Sequence, residues 1–100
     1  MTAHKYALPE PATVIGSEDG RTLELARLWV HRGEPAILVR PAYDDPKAMG
    51  EMLAELSWHV AYAYEQKGGL TQAQALEALR AGWRQGHING EQAAQKRAVQ

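Results

Sequence analysis

The sequence predicts an α+β domain in which a β-hairpin is followed by two antiparallel helices, in the order β-β-α-α. Two stretches rich in aliphatic residues flank a glycine-containing turn, which is typical of a hairpin. Two later stretches carry apolar residues at spacings of three and four, and a double glycine separates them. A two-stranded hairpin is marginally stable by itself, so dimerisation is one way in which the chain can complete its sheet.

The length of the chain, 100 residues, suffices for one domain and is too short for two. We predict an N-terminal arm over residues 1–20, a single α+β domain over residues 21–88 and a flexible C-terminal tail over residues 89–100. The arm is rich in proline and glycine, and the tail offers only alanine and valine as apolar anchors.

Charge and cysteine content argue against several classes of protein. The 11 basic and 12 acidic residues give a formal net charge of −1, which disfavours nucleic-acid binding. The absence of cysteine excludes disulfides, thiolate nucleophiles and cysteine-bound metals. No apolar run is long enough for a signal peptide or a membrane helix, so we expect a cytoplasmic protein without membrane contacts.

The hairpin is predicted over residues 22–30 and 36–41. Arg32 and Gly33 are expected at the tip of its turn, and Pro41 is expected to end the second strand. Apolar side chains fall on both faces of the first strand, so we expect one face to be covered and the other to be covered in part.

The first helix is predicted to begin at Pro46, with Asp45 as its N-cap, and to end before Gly68 and Gly69. Apolar residues recur along it at helical spacing and form the stripe that we expect to face the core. The members of this core stripe are Met49, Met52, Leu53, Leu56, Val60, Ala63 and Tyr64.

A second, smaller apolar face lies on the opposite side of the same helix. Trp58 and Tyr62 lie there, flanked by Ala54 and Ala61. This face packs either against the second helix or, if it is exposed, against another molecule, because large aromatic residues left in water usually mark association. Together with Trp29 of the hairpin, these four residues are our candidates for an interface.

The second helix is predicted to start at Thr71, which forms a capping box with Gln74. Its end is predicted at the glycine-containing segment 86–90. The residues expected to pack in the core are Ala75, Leu76, Leu79 and Trp83.

Two sets of polar residues are candidates for ligand binding. Glu55 and His59 are four residues apart with Tyr62 nearby, and a carboxylate so placed can orient an imidazole, although an exposed ion pair is the simpler interpretation. Arg80 and Arg84 lie one turn apart and can bind an anion or a partner's carboxylate, unless they form only a solvated edge. Neither set predicts a catalytic residue, a metal site or a cofactor.

The order of several short elements resembles a family of bacterial proteins known as domain of unknown function 5076. The resemblance covers roughly residues 20–85 and implies a compact domain that stands alone, without an activity, cofactor or substrate to transfer. Gly50 within a helix suggests the close approach of another backbone there. The residues that carry the resemblance are Arg27, Trp29, Val30, Gly33, Asp45, Pro46, Gly50, Met52, Leu53, His59, Ala61 and Tyr64.

The leading hypothesis is a non-enzymatic interaction or regulatory protein that acts as a homodimer, with another protein as an alternative partner. The second hypothesis is a small-molecule or metal-binding domain, or a small enzyme, that uses Glu55, His59 and Tyr62. The third is a helix-turn-helix nucleic-acid binder over residues 71–86, which Glu77 and the neutral charge disfavour.

Overall fold

The computed structural model of the chain describes residues 4–99; residues 1–3 of the predicted arm and residue 100 of the predicted tail lie outside this range. The α+β order β-β-α-α is confirmed. Its elements are β1 (Ala26–His31), β2 (Glu34–Val39), α1 (Pro46–Lys67) and α2 (Gln72–Val99). The chain divides into two compact units, Met1–Asp44 and Asp45–Gln100, of which the first holds the hairpin and the second the helix pair.

The turn of the hairpin has the predicted residues at its tip. Arg32 and Gly33 both have positive φ, 52° and 84°, as a two-residue type I′ turn requires. The strands are antiparallel, and the register places His31 opposite Glu34 and Ala26 opposite Val39. The tight turn therefore fixes which side chains share a face of the sheet.

Both strand boundaries differ from the prediction. β1 begins at Ala26 rather than at residue 22: the N–H of Arg40 donates to the carbonyl of Leu25 at 2.7 Å, and the chain turns away at Pro41, as predicted. β2 spans residues 34–39 rather than 36–41, because the tight turn starts the pairing at once.

The arm consists of short turns from residue 4 onward. Backbone N–H groups of Ala7, Val14 and Ser17 each donate to the carbonyl three residues earlier. The imidazole of His4 lies edge-on to the indole of Trp29, with the ring centroids 4.9 Å apart. The arm is thus attached to the face of the hairpin that carries Trp29.

The ends of α1 follow the predicted capping. The Asp45 carboxylate accepts a hydrogen bond from the N–H of Lys47 at 3.0 Å, and Pro46 occupies the first helical turn. At the other end Gly68 has a φ of 99°, and its N–H donates to the carbonyls of Tyr64 and Glu65. A glycine reaches this conformation without a Cβ penalty, which explains why the helix stops there.

The capping box at the start of α2 is confirmed in both directions. The N–H of Gln74 donates to the Thr71 hydroxyl at 3.1 Å, and the N–H of Thr71 donates to the Gln74 side-chain oxygen at 2.9 Å. The carboxylate of Glu65 accepts from the N–H of Gln72 at 2.6 Å, which ties the end of α1 to the start of α2.

The predicted end of α2 at residues 86–90 is wrong, because the helix continues to Val99. Each helical glycine costs about 1 kcal/mol relative to alanine. That cost is too small to end a helix when good helix formers follow and no proline intervenes. Side chains one turn apart bridge the glycines: the Gln85 amide donates to the Asn89 side-chain oxygen at 3.0 Å. Lys96 and Arg97 in the last turn complement the helix dipole.

The core of the helix pair is small and consists of Ala61, Ala75 and Leu76, with Leu79 packed against it. Several residues predicted in the core are exposed instead: Leu53 (40%), Leu56 (42%), Tyr64 (45%), Trp83 (55%) and Ala63. The two helices meet through small residues, so the larger side chains lie at the flanks of the contact. Within residues 4–99, neither helix is long and apolar enough to cross a lipid bilayer.

Candidate functional site

The helix pair uses the smaller of the two apolar faces of α1. Ala61 is fully buried in the contact with α2, and Gly50, Ala54 and Ser57 lie on the same side of α1 at helical spacing. The small side chains of Ala61 and of Ala75 on α2 are the ones buried in the contact, and small residues favour the packing of two helices on this face. No residue of the predicted core stripe of α1 is among the buried residues of this contact.

One flank of the helix pair forms a groove of about 380 Å³, which we name the Trp–Arg groove. Side chains from both helices line it, and apolar residues predominate among them. The lining residues are Gly50, Ala54, Ser57 and Trp58 of α1, and Leu76, Leu79, Arg80, Trp83 and Arg84 of α2. The groove exists because the residues of α1 at its floor are too small to fill it.

Two indole side chains enter the Trp–Arg groove from opposite helices. Trp58 and Trp83 are both about half exposed, at 51% and 55%. The Trp83 ring lies edge-on to the imidazole of His87, with centroids 4.8 Å apart. Among the side chains of residues 4–98, the two indoles do not pair with each other, so both retain ring surface that a ligand can contact.

Arg80 and Arg84 provide positive charge on the α2 side of the groove. They lie one turn apart, and Glu77 lies one turn before Arg80. In the part of the chain that the structure describes, the single ion pair joins Glu24 to Arg27 in the hairpin unit. The two guanidinium groups of the groove are therefore without a carboxylate partner in the described residues.

A second groove of the helix pair, of about 520 Å³, adjoins the Trp–Arg groove and shares Ser57, Leu79 and Trp83 with it. Its lining is apolar or weakly polar and includes no charged residue. The lining residues are Ser57, Tyr64, Leu70, Ala75, Ala78, Leu79, Gly82 and Trp83. This second groove offers apolar surface without a polar group that would select a ligand.

The hairpin has one face that is apolar throughout. Alternation along the strands and the observed register place Ala26, Leu28, Val30, Pro35, Ile37 and Val39 on it. Its four large aliphatic side chains are between 57% and 81% exposed. Apolar patches of this kind on small proteins usually mark contact surfaces.

The residues predicted at an interface have different environments. Ala61 is buried under α2, and Ala54 lines the Trp–Arg groove, so both take part in the helix pair. Trp58 and Tyr62 are about half exposed. Trp29 is partly buried and contacts His4 on the hairpin face opposite the apolar one.

The predicted ligand-binding residues of α1 lie outside both grooves. Glu55, His59 and Tyr62 are exposed, and none of them lines either groove. In the described side chains no hydrogen bond or ion pair joins Glu55 to His59. Over residues 4–98 no three carboxylate or imidazole groups are close enough together to hold a metal ion.

Sequence reasoning identified the arginine pair but missed its aromatic surroundings. Arg80 and Arg84 were expected as a pair from their spacing alone. Trp83 was placed in the core and Trp58 on an interface, whereas both line the groove that contains the arginines. Only the packing of α1 against α2 brings residues so distant in the sequence together.

Comparison with known families and structures finds similar proteins. The model of a family described as "Domain of unknown function (DUF5076)" matches residues 7–88. A solved structure from the photosynthetic bacterium Rhodopseudomonas palustrus CGA009, described as a "putative pyruvate dehydrogenase", is 31% identical with a TM-score of 0.65. The match covers 84% of this chain and 83% of that one. No similar protein is found among the curated proteins.

Proposed function

This chain belongs to the family described as domain of unknown function (DUF5076), and we propose that it is a non-enzymatic interaction module that acts as a homodimer. The observation that carries the proposal is the apolar face of the hairpin. Leu28, Val30, Ile37 and Val39 all lie on this face with more than half of each side chain exposed. A surface of this composition is stabilised when another molecule covers it.

The energetic gain from covering this face is large for a small protein. Burying one aliphatic side chain of this size contributes roughly 1.5–3 kcal/mol, and the four are already buried in part. Covering all four contributes on the order of 4 kcal/mol before the entropic cost of association. The hairpin is a two-stranded sheet and gains more from such a contact than a larger sheet would.

A second copy of the same chain fits the face better than a charged partner does. None of the six side chains on the face carries a charge, so two copies related by a two-fold axis meet without like-charge repulsion. Homodimer interfaces are also more apolar than other contact surfaces. Tyr62 and Trp58 on α1, each about half exposed, are separate candidates for contact with another molecule.

The free edge of β1 offers an alternative contact between two copies, in which the two apolar faces lie side by side in one sheet rather than against each other. The register makes His31 and Glu34 a hydrogen-bonded pair, so the backbone groups of Leu28 and Val30 point outward from β1. On β2 the corresponding outward position opposite Val30 is Pro35, which has no N–H. Edge pairing between two copies therefore suits β1, and it would produce a four-stranded sheet.

Light scattering behind a sizing column, over a tenfold range of protein concentration, tests the proposal. We expect a molar mass near 22 kDa, about twice the 11.0 kDa of one chain, that persists on dilution. A stable 11.0 kDa species over the whole range would overturn the homodimer.

Two variants of neighbouring residues locate the contact. Ile37→Glu puts a charge on the apolar face and should lower the molar mass to that of one chain. Leu38→Glu is the matched control, because Leu38 is also more than half exposed but lies on the other face of β2. Dissociation by the Leu38 variant, with the Ile37 variant still dimeric, would contradict the proposed face.

A further inference from the structure

We propose that the Trp–Arg groove binds a small aromatic carboxylate. In this arrangement the aromatic ring packs against Trp58 and Trp83, and the carboxylate accepts hydrogen bonds from Arg80 and Arg84. The inference does not rest on the proposed homodimer, whose main contact surface is the hairpin. It assigns a binding role to a flank of the helix pair.

The size and walls of the groove suit a small, mostly apolar ligand. Its volume of about 380 Å³ falls in the range of small-molecule sites, which is roughly 300–1,000 Å³. Ala54, Leu76 and Leu79 contribute walls without hydrogen-bonding side chains. A ligand whose whole surface is polar would lose its hydration here without replacement.

The two indoles favour an aromatic ring over a flexible aliphatic chain. Trp58 and Trp83 approach the groove from different helices, and within residues 4–98 neither ring is paired with the other. Aromatic rings in edge-to-face or offset contact gain energy beyond the burial of their area. A rigid ring also loses less conformational entropy on binding than an alkyl chain of the same volume.

The charge of the groove selects an anion. Arg80 and Arg84 both line it and have no carboxylate partner among the described residues, although Glu77 lies one turn away from Arg80. A guanidinium group presents its N–H donors in a plane that matches the two oxygens of a carboxylate. The charge lies on the α2 side only, so a ligand with one carboxylate at the end of an apolar body is complementary.

Calorimetric titration with three probe compounds tests the chemical class. The probes are 2-naphthoate, the uncharged 2-naphthamide and the aliphatic octanoate. We expect naphthoate to bind at least about tenfold more tightly than naphthamide, because the amide carries no charge for the arginines. We expect naphthoate also to bind more tightly than octanoate, because only naphthoate has an aromatic ring to pack against the two indoles. Equal binding of naphthoate and naphthamide, or stronger binding of octanoate, would overturn the assignment.

The tryptophan indole signals in a two-dimensional NMR spectrum locate the site. The chain has three tryptophans, and only Trp29 lies outside the helix pair. Naphthoate should shift the indole N–H signals of Trp58 and Trp83 and leave that of Trp29 unchanged. A shift confined to Trp29, or the absence of any shift at millimolar naphthoate, would contradict the groove as the binding site.

Arginine variants test the role of the charge. Arg80→Gln and Arg84→Gln should each weaken naphthoate binding by about tenfold and leave the thermal midpoint of unfolding almost unchanged. Arg97→Gln is the matched control, since Arg97 lies on the same helix but outside the groove. Equal affinities of all three variants would overturn the proposal. The Ile37→Glu variant should still bind naphthoate, so failure of the homodimer and failure of the groove are distinguishable.

Discussion

Ala61 of α1 and Leu76 of α2 belong to one buried cluster in the contact of the helix pair, and Ala61 has no exposed surface. An alanine at this position sets the distance between the two helices, since any larger side chain would have to push α2 away. The same close approach leaves Trp58 and Trp83 at the flank, where they line the Trp–Arg groove.

Enlarging the residue at position 61 should therefore destabilise the helix pair. We expect Ala61→Leu to lower the free energy of unfolding by about 1–3 kcal/mol, because the added carbons have no room beside Leu76. Ala63→Leu serves as the control, as Ala63 is exposed on the same helix. Urea unfolding followed by circular dichroism measures both, and equal free energies would show that the contact tolerates expansion.

Replacing Gly50 by alanine should stabilise the protein. A Cβ atom at this position would meet no atom of α2 or of any other element within 4 Å, so the described residues give no structural reason for the glycine, although the sequence suggested a close approach of another backbone there. We expect Gly50→Ala to raise the free energy of unfolding by about 0.5–1 kcal/mol, the usual gain in a helix interior. Thermal unfolding measures the gain. Gly86→Ala is the control, because the space around Gly86 is equally open. A lower free energy of unfolding for the Gly50 variant alone would indicate that another chain approaches there.

Substitutions at the two turn residues should differ in their effect on the stability of the hairpin. Gly33 has a φ of 84°, so Gly33→Val should destabilise the hairpin by about 1–2 kcal/mol. Arg32 has a φ of 52°, which asparagine also adopts readily, so Arg32→Asn should cost nothing. The indole N–H signal of Trp29, followed with temperature, reports on the hairpin. Equal melting of the two variants would contradict the assigned turn.

Loss of the capping box should weaken α2 at its start. Thr71→Ala removes the hydroxyl that accepts from the N–H of Gln74, and we expect a loss of about 1 kcal/mol in the free energy of unfolding. Thr71→Ser keeps the hydroxyl and should retain most of the stability. Chemical denaturation compares the two, and an equal loss in both would mean that the threonine methyl group matters rather than the cap.

Local signals in the sequence determined the order of the elements and most of their ends. Asp45 with Pro46, the pair Thr71 and Gln74, and Gly68 each act on backbone groups within a few residues, so neighbouring residues suffice to predict them. The end of α2 could not be predicted from its glycines, because a glycine weakens a helix without stopping it.

The choice between the two apolar faces of α1 was made by the tertiary structure. Both faces are visible in the sequence, and the larger one was expected to form the core, yet α2 packs on the face that contains Ala54 and Ala61. How closely two helices pack depends on the size of the side chains between them. The helical spacing of apolar residues shows which residues share a face, but it does not show which face has side chains small enough for the partner helix. The Trp–Arg groove is a consequence of that choice, because it joins Trp58 to Arg80 and Arg84 only when the helices pack in this way.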